Sequence, residues 1–340
     1  MCVVYEYDTR PEFGQTQPVA DGIDWLRMPL PFMLGHINLW LLDDGDGFAI
    51  VDTGVFVDDC RDVWTTLLDT SRSNQALTRV IVTHLHPDHA GCAGWLAREN
   101  DVELWMTRSE YLLCRILVAD TGRQAPQAGL RFYRAAGFSE DAIERYQNRF
   151  GMFGKYVAAL PESYRRMQDS DRVAIGDADW EVIVGRGHSP EHACLFNASS
   201  NIVISGDQLL PTISSNVSVH PTEPMANPLH DWLDSLQIMK DRLPDDVLVL
   251  PAHGKPFRGA HARLDALIEE HRQGLDKLHT LCAEPRRAVD TFEALFKSRI
   301  SDGNLIMATG EAIAHLNYLT ATGELERSTD GDDVHWYRQS

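Results

Sequence analysis

Apolar spacing changes period several times along the chain. Over residues 24–52, short apolar runs alternate with turn residues. Residues 37–42 and 48–51 read as two strands joined by Asp43-Asp44-Gly45-Asp46-Gly47, a solvated hairpin turn rather than a calcium loop. Residues 58–69 shift to helical spacing, with Val63, Trp64, Leu67 and Leu68 on one face. The β-branched run Arg79-Val80-Ile81-Val82 predicts a buried strand, followed by a helix at 92–99 and a strand at 102–106. From 108 to 169 strand signals vanish and helix formers dominate. Aromatics stand there at Tyr111, Phe132, Tyr133, Tyr146, Phe150, Phe153, Tyr156 and Tyr164. This predicts a helical insertion whose aromatics form helix core or wall a pocket as a lid. Strands resume at 180–184, 193–196, 201–205 and 247–250. Beyond 256 helices are predicted at 261–281, 291–298 and 309–319, then a hairpin at 323–337 around Asp330-Gly331-Asp332. The order is that of an α/β chain.

The chemistry concentrates where strands end. Thr83-His84-Leu85-His86-Pro87-Asp88-His89-Ala90-Gly91 puts four metal-capable side chains within six residues, just past a strand. Imidazole and carboxylate donors suit zinc, iron or manganese. The pattern repeats at Gly187-His188, Gly206-Asp207 and His253-Gly254. His188 is the better donor candidate than His192, which leads into the next strand. Asp52 ends a strand before Thr53-Gly54. It either orients a ligating His or caps the following helix.

Length and composition narrow the class. A chain of 340 residues holds one large domain and a smaller one with a full core, and 44% hydrophobic content is that of a globular protein. The net charge of −19 argues against a phosphate-backbone partner or an anionic membrane surface. The six cysteines form no Cys-X-X-Cys pair and are expected to be reduced thiols. No signal peptide or membrane-spanning run is read, so a cytoplasmic location is expected.

The ordered set Asp52-Thr53-Gly54, His84-X-His86-X-Asp88-His89, Gly187-His188, Gly206-Asp207 and His253-Gly254 resembles the metallo-β-lactamase superfamily over roughly residues 24–257. The resemblance implies a four-layer αβ/βα sandwich, with a catalytic domain at 1–257 that includes the insertion at 108–169. It implies two divalent metal ions, zinc first, with iron or manganese as alternatives. As in glyoxalase II, His84, His86 and His188 would hold one ion and Asp88, His89 and His253 the other. Asp207 would bridge them and Asp52 would orient a ligand. Flavodiiron-type members carry Glu where His86 stands, and true metallo-β-lactamases lack the bridging Asp. The extra domain of the RNA-processing branch is absent, and the basic glutathione-binding set of glyoxalase II is unmatched.

The implied reaction is acyl-bond hydrolysis by a metal-bridging hydroxide, with Asp88 orienting the nucleophile or carrying its proton. A thioester is the first expectation and a lactone or ester the second; a nuclease or DNA-binding role ranks below both. The turn-rich stretch after Asp207 is expected to rim the site, with Asn216 or His220 contacting a small-molecule acyl substrate. The segment 258–340 resembles a winged helix, but its would-be recognition helix has no Lys or Arg, which disfavours DNA. It is expected to pack on the core, complete the pocket or support a homodimer.

Overall fold

Two seven-stranded sheets face each other in the computed structural model, which describes residues 3–32, 34–70, 72 and 74–340. Cys2 lies outside the described residues; the other five cysteines are buried and form no disulfide. The first sheet runs, in spatial order, Thr16–Ala20, Ile23–Pro29, His36–Asp44, Gly47–Val51, Leu77–Ile81, Glu103–Thr107 and Arg165–Met167. Its first four strands pair antiparallel and the rest parallel. The second runs Val4–Tyr5, Phe257–Arg258, Leu248–Pro251, Ile202–Gly206, His192–Asn197, Ala178–Gly185 and Arg172–Ile175. Ile202–Gly206 and Leu248–Pro251 are its one parallel pair among the described residues.

Both faces of each sheet are covered, which explains why the central strands read as apolar runs rather than alternating ones. Along His36–Asp44, Trp40 and Leu42 point between the sheets, while Ile37, Leu39 and Leu41 point outward under helices. Trp25, Val51 and Ile81 meet Val184, Leu195 and Leu250 across the gap. Asp58–Asp69, Ala93–Glu99 and Arg108–Ala119 cover the first sheet; Pro228–Arg242, Ala260–Leu281 and Leu305–Ala321 cover the second. The expected four-layer sandwich is therefore the observed fold.

Three element readings need correction. Strand structure does not vanish within 108–169, because Arg165–Met167 adds a parallel edge strand to Glu103–Thr107. Three residues with two arginines make no apolar run. Arg172–Ile175, also short, forms an edge of the second sheet ahead of the expected strand. The helix expected at 291–298 is a 3-10 turn, Ala288–Thr291, followed by one helical turn at Phe292–Leu295. The insertion aromatics Tyr133 and Tyr146 pack with Leu130 and Ile143 in a small core of their own. Near the chain's end, Leu305–Ala321 buries Ile313, Ala314, Leu316 and Leu319 in the same core as Trp232 and Leu264, and Leu325–Thr329 pairs with His335–Gln339. None of the described helices is long and apolar enough to cross a membrane.

Candidate metal centre

The strand Leu77–Ile81 delivers the chain to the rim of the sandwich, where His84 and His86 follow in a run of bends. Pro87 then starts the short helix Pro87–Ala90, its fixed φ suited to a first helical position. That turn presents Asp88 and His89 on the heels of the two imidazoles. Gly91 closes it because nothing larger fits: a Cβ there would lie 2.4 Å from the carbonyl oxygens of Gly54 and Pro87. The turn after Ala178–Gly185 carries His188, and the neighbouring parallel strands Ile202–Gly206 and Leu248–Pro251 end just before Asp207 and His253.

These ends converge. His84 Nε2 lies 2.9 Å from His86 Nδ1 and 3.3 Å from His188 Nε2. Asp207 Oδ2 is 3.5 Å from His188 Nε2, while Asp207 Oδ1 is 3.5 Å from both His89 Nε2 and His253 Nε2. Asp88 Oδ2 is 3.4 Å from His253 Nε2 and 3.8 Å from His89 Nε2. The donor atoms fall into two groups, His84, His86, His188 and Asp207 in one and Asp88, His89 and His253 in the other, each spanning no more than 4.8 Å. A tetrahedral ion with bonds near 2.1 Å sets its ligands about 3.4 Å apart, so most of these spacings match.

The buried atoms agree with a cation. His89 Nε2, His253 Nε2 and Asp207 Oδ1 are all buried and none has a hydrogen-bond partner among the described residues. Orphaned polar atoms of this kind are costly unless something charged satisfies them. The outer ring nitrogens, by contrast, are held. His89 Nδ1 pairs with Asp52 Oδ2 at 2.8 Å, His188 Nδ1 with the Asn216 carbonyl at 2.7 Å, and His253 Nδ1 with the His36 carbonyl at 2.9 Å. Each acceptor places the proton on Nδ1 and leaves an Nε2 lone pair aimed inward.

Electrostatics divide the two groups. Burial, reinforced by the surrounding imidazoles, drives the His84 pKa well below its ordinary value, and burial followed by His188 lowers His86 to about 3. Those rings are neutral, as metal donors must be. At His89 burial also opposes charge, but the carboxylates of Asp52, Asp207 and Asp88 outweigh it and raise the pKa well above normal. His253 is raised in the same way by Asp207 and Asp88. Burial works against ionisation of Asp207 too, yet His89 and His253 hold its carboxyl well below the usual range. The second group is thus rich in negative charge and attracts protons or a cation.

Asp52 faces His89 Nδ1 and does not cap the next helix, whose N-cap is Val57. It sits at φ 64°, in the left-handed region, and also accepts from the Thr83 amide at 2.8 Å. A strained non-glycine residue here is held by the contacts it makes. His192 joins neither group; its Nε2 accepts from the Asp207 amide at 3.0 Å. The Asn216 amide is turned to the protein, with Nδ2 donating to Glu311 at 2.6 Å and Oδ1 accepting from Ser218 at 2.6 Å, so it is not free for substrate. His220 is exposed, and desolvation by the surrounding protein, followed by the charge of His188, lowers its pKa.

Sequence reasoning missed Glu110, in the first turn of Arg108–Ala119. This fully buried carboxyl accepts from the Leu85 amide at 2.9 Å and the Glu191 amide at 2.7 Å. It ties the His84–His86 loop to the loop that follows His188. Burial raises its pKa. The available signal was an acid on the helix face shared with buried Tyr111 and Cys114.

Paired sheets with two clusters of His and Asp donors at their rim define a metal-dependent hydrolase. A family model described as the metallo-beta-lactamase superfamily matches residues 33–253, and one for the metallo-beta-lactamase-like C-terminal domain matches 275–340. The chain belongs to the metallo-β-lactamase superfamily. It is 24% identical over 321 residues to a probable metallo-hydrolase, YqjP, of Bacillus subtilis (strain 168), covering 92% of this chain and 96% of that one. A crystal structure of a beta-lactamase domain protein from Burkholderia ambifaria superposes with a TM-score of 0.91 at 39% identity, over 99% of this chain and 98% of that one. Human acyl-coenzyme A thioesterase MBLAC2 is 22% identical over 202 residues, which span 58% of this chain and 66% of that one.

Proposed function

We propose that the chain hydrolyses a thioester, using two zinc ions held by the two donor groups. The observation that carries this reading is the Asp207 carboxylate, whose two oxygens face different groups. In this reading His84, His86 and His188 hold one ion, Asp88, His89 and His253 the other, and Asp207 is shared. Bound there, the ions would supply an activated water and polarise the acyl carbonyl. Imidazole-rich donor sets suit zinc. Asp88 has one carboxylate oxygen beside His253, which leaves the group placed to orient the attacking water or take its proton.

Neither cysteine near the donor motifs competes as a nucleophile. Cys92 and Cys194 are buried, and burial pushes both thiols up, away from the reactive thiolate. The thioesterase relative and the net charge of −19 both favour a small acyl thioester over a phosphodiester. The test is a hydrolysis screen of zinc-loaded protein against acyl-glutathione, acyl-CoA, lactones and phosphodiesters, with His84→Ala as the dead control. Thioester turnover is expected to lead. Turnover confined to phosphodiesters, or equal rates in the control, would overturn the reading, and a lactone-only result would shift it to a lactonase.

A further inference from the structure

The loop after Asp207 is fastened to the C-terminal helices by a set of buried polar contacts. Ser214 Oγ lies 3.3 Å from His271 Nε2, His271 Nδ1 lies 3.3 Å from His315 Nε2, and His315 Nδ1 donates to the Glu311 carbonyl at 2.9 Å. The Val219 amide donates to the Gly310 carbonyl at 3.0 Å. Gly310 lets the loop come this close, since a Cβ there would fall 2.7 Å from Ser218 Oγ. The next residue, Glu311, turns its half-buried carboxyl onto Asn216 Nδ2 at 2.6 Å, and the carbonyl of Asn216 accepts from His188 Nδ1 at 2.7 Å.

We propose that Glu311 is a positioning residue for the metal centre: by gripping the Asn216 side chain it holds the Asn216 carbonyl against His188. It thereby fixes which nitrogen of that ring carries the proton and where Nε2 points. The role rests on reading His188 as a metal donor. It makes the helix Leu305–Ala321 part of the centre although that helix supplies no donor atom. Ordinary packing would account for the apolar face of this helix. It would not account for a half-buried carboxyl turned onto one loop amide at 2.6 Å, because partial desolvation of an acid is costly unless its partner is worth holding.

The test compares wild type, Glu311→Ala, Glu311→Gln and Asn216→Ala, with thermal melting to confirm that each folds. In metal-free protein, the ring nitrogens of His188 are read by long-range proton–nitrogen NMR correlation. Wild type and Glu311→Gln, which keeps an acceptor oxygen, are expected to show a single Nδ1–H tautomer. Glu311→Ala and Asn216→Ala are expected to show two tautomers in exchange. In cobalt titrations against a chelator, these two variants should bind one ion about 10–100-fold more weakly and the other unchanged. An unaltered His188 ring in both variants would overturn the proposal. Exchange of the ring in a protein that binds no cobalt even as wild type would uphold the Glu311–His188 link and overturn the metal-pair reading instead.

Discussion

Asp52 Oδ2 and His89 Nδ1 are 2.8 Å apart, the carboxylate being presented from a backbone in the left-handed region. The charge of Asp52 is what raises the His89 pKa most strongly against burial. Asp52→Asn keeps the shape but loses that charge and the certainty of the Nδ1–H tautomer. Affinity for one ion is expected to fall about 10–100-fold with the other unaffected. Chelator competition measures this, and unchanged affinity for both ions would remove Asp52 from the centre.

Asp207 faces both donor groups, so its loss should be felt by both. Asp207→Ser is expected to bind fewer than two ions per chain and to lose at least about a hundredfold in hydrolysis, since a shared anion is worth several kcal/mol to such a pair. Elemental analysis of the purified variant gives the metal count. Two tightly held ions would show that the carboxylate is not shared.

Glu110 satisfies two buried amides on separate loops. Glu110→Ala leaves both donors without a partner, at an expected cost of about 2–4 kcal/mol. Urea unfolding of the metal-free protein should show this as a lower midpoint. An unchanged midpoint would mean that water replaces the carboxyl at no cost.

The pH dependence of stability should reveal Glu311. Burial, with Glu270 adding repulsion, raises its pKa to about 7 from an ordinary 4.5, while Asn216 and His188 pull it down. The folded state therefore keeps a proton that the unfolded state releases. Stability linked to this group is full below pH 4.5 and is lost as pH rises through 7. Between these limits, metal-free wild type should lose up to about 3 kcal/mol relative to Glu311→Gln. Parallel curves for the two proteins across that range would show that Glu311 is not protonated in the fold.

His84, His86, His188 and His253 could be read in the sequence because each follows an apolar run through a tight turn, a pattern that survives without coordinates. Asp52 was ambiguous, since an acid after a strand serves equally to cap a helix or to steer an imidazole; only the distance to His89 separates the two. Glu110 and Glu311 left no such trace. Each is a single acid in a helical stretch, where solvated acids are common, and its partners lie on distant loops. Arg165–Met167 was hidden for a different reason: its place in the sheet comes from Glu103–Thr107 beside it, not from its own polarity.

The donors run from His84 to His253, and the residue that grips the loop behind His188 comes later still, at Glu311. No pair of neighbouring donor loops closes without bringing together distant parts of the chain, so the centre has little local nucleus. During synthesis, every donor except His253 has been made before the strand Leu248–Pro251 emerges, so the group of Asp88, His89 and His253 is the last to be completed. The ring of His188 is braced only after the helix Leu305–Ala321 docks. Metal capture is thereby tied to the finished fold, and an interrupted translation product would present imidazoles that cannot hold both ions.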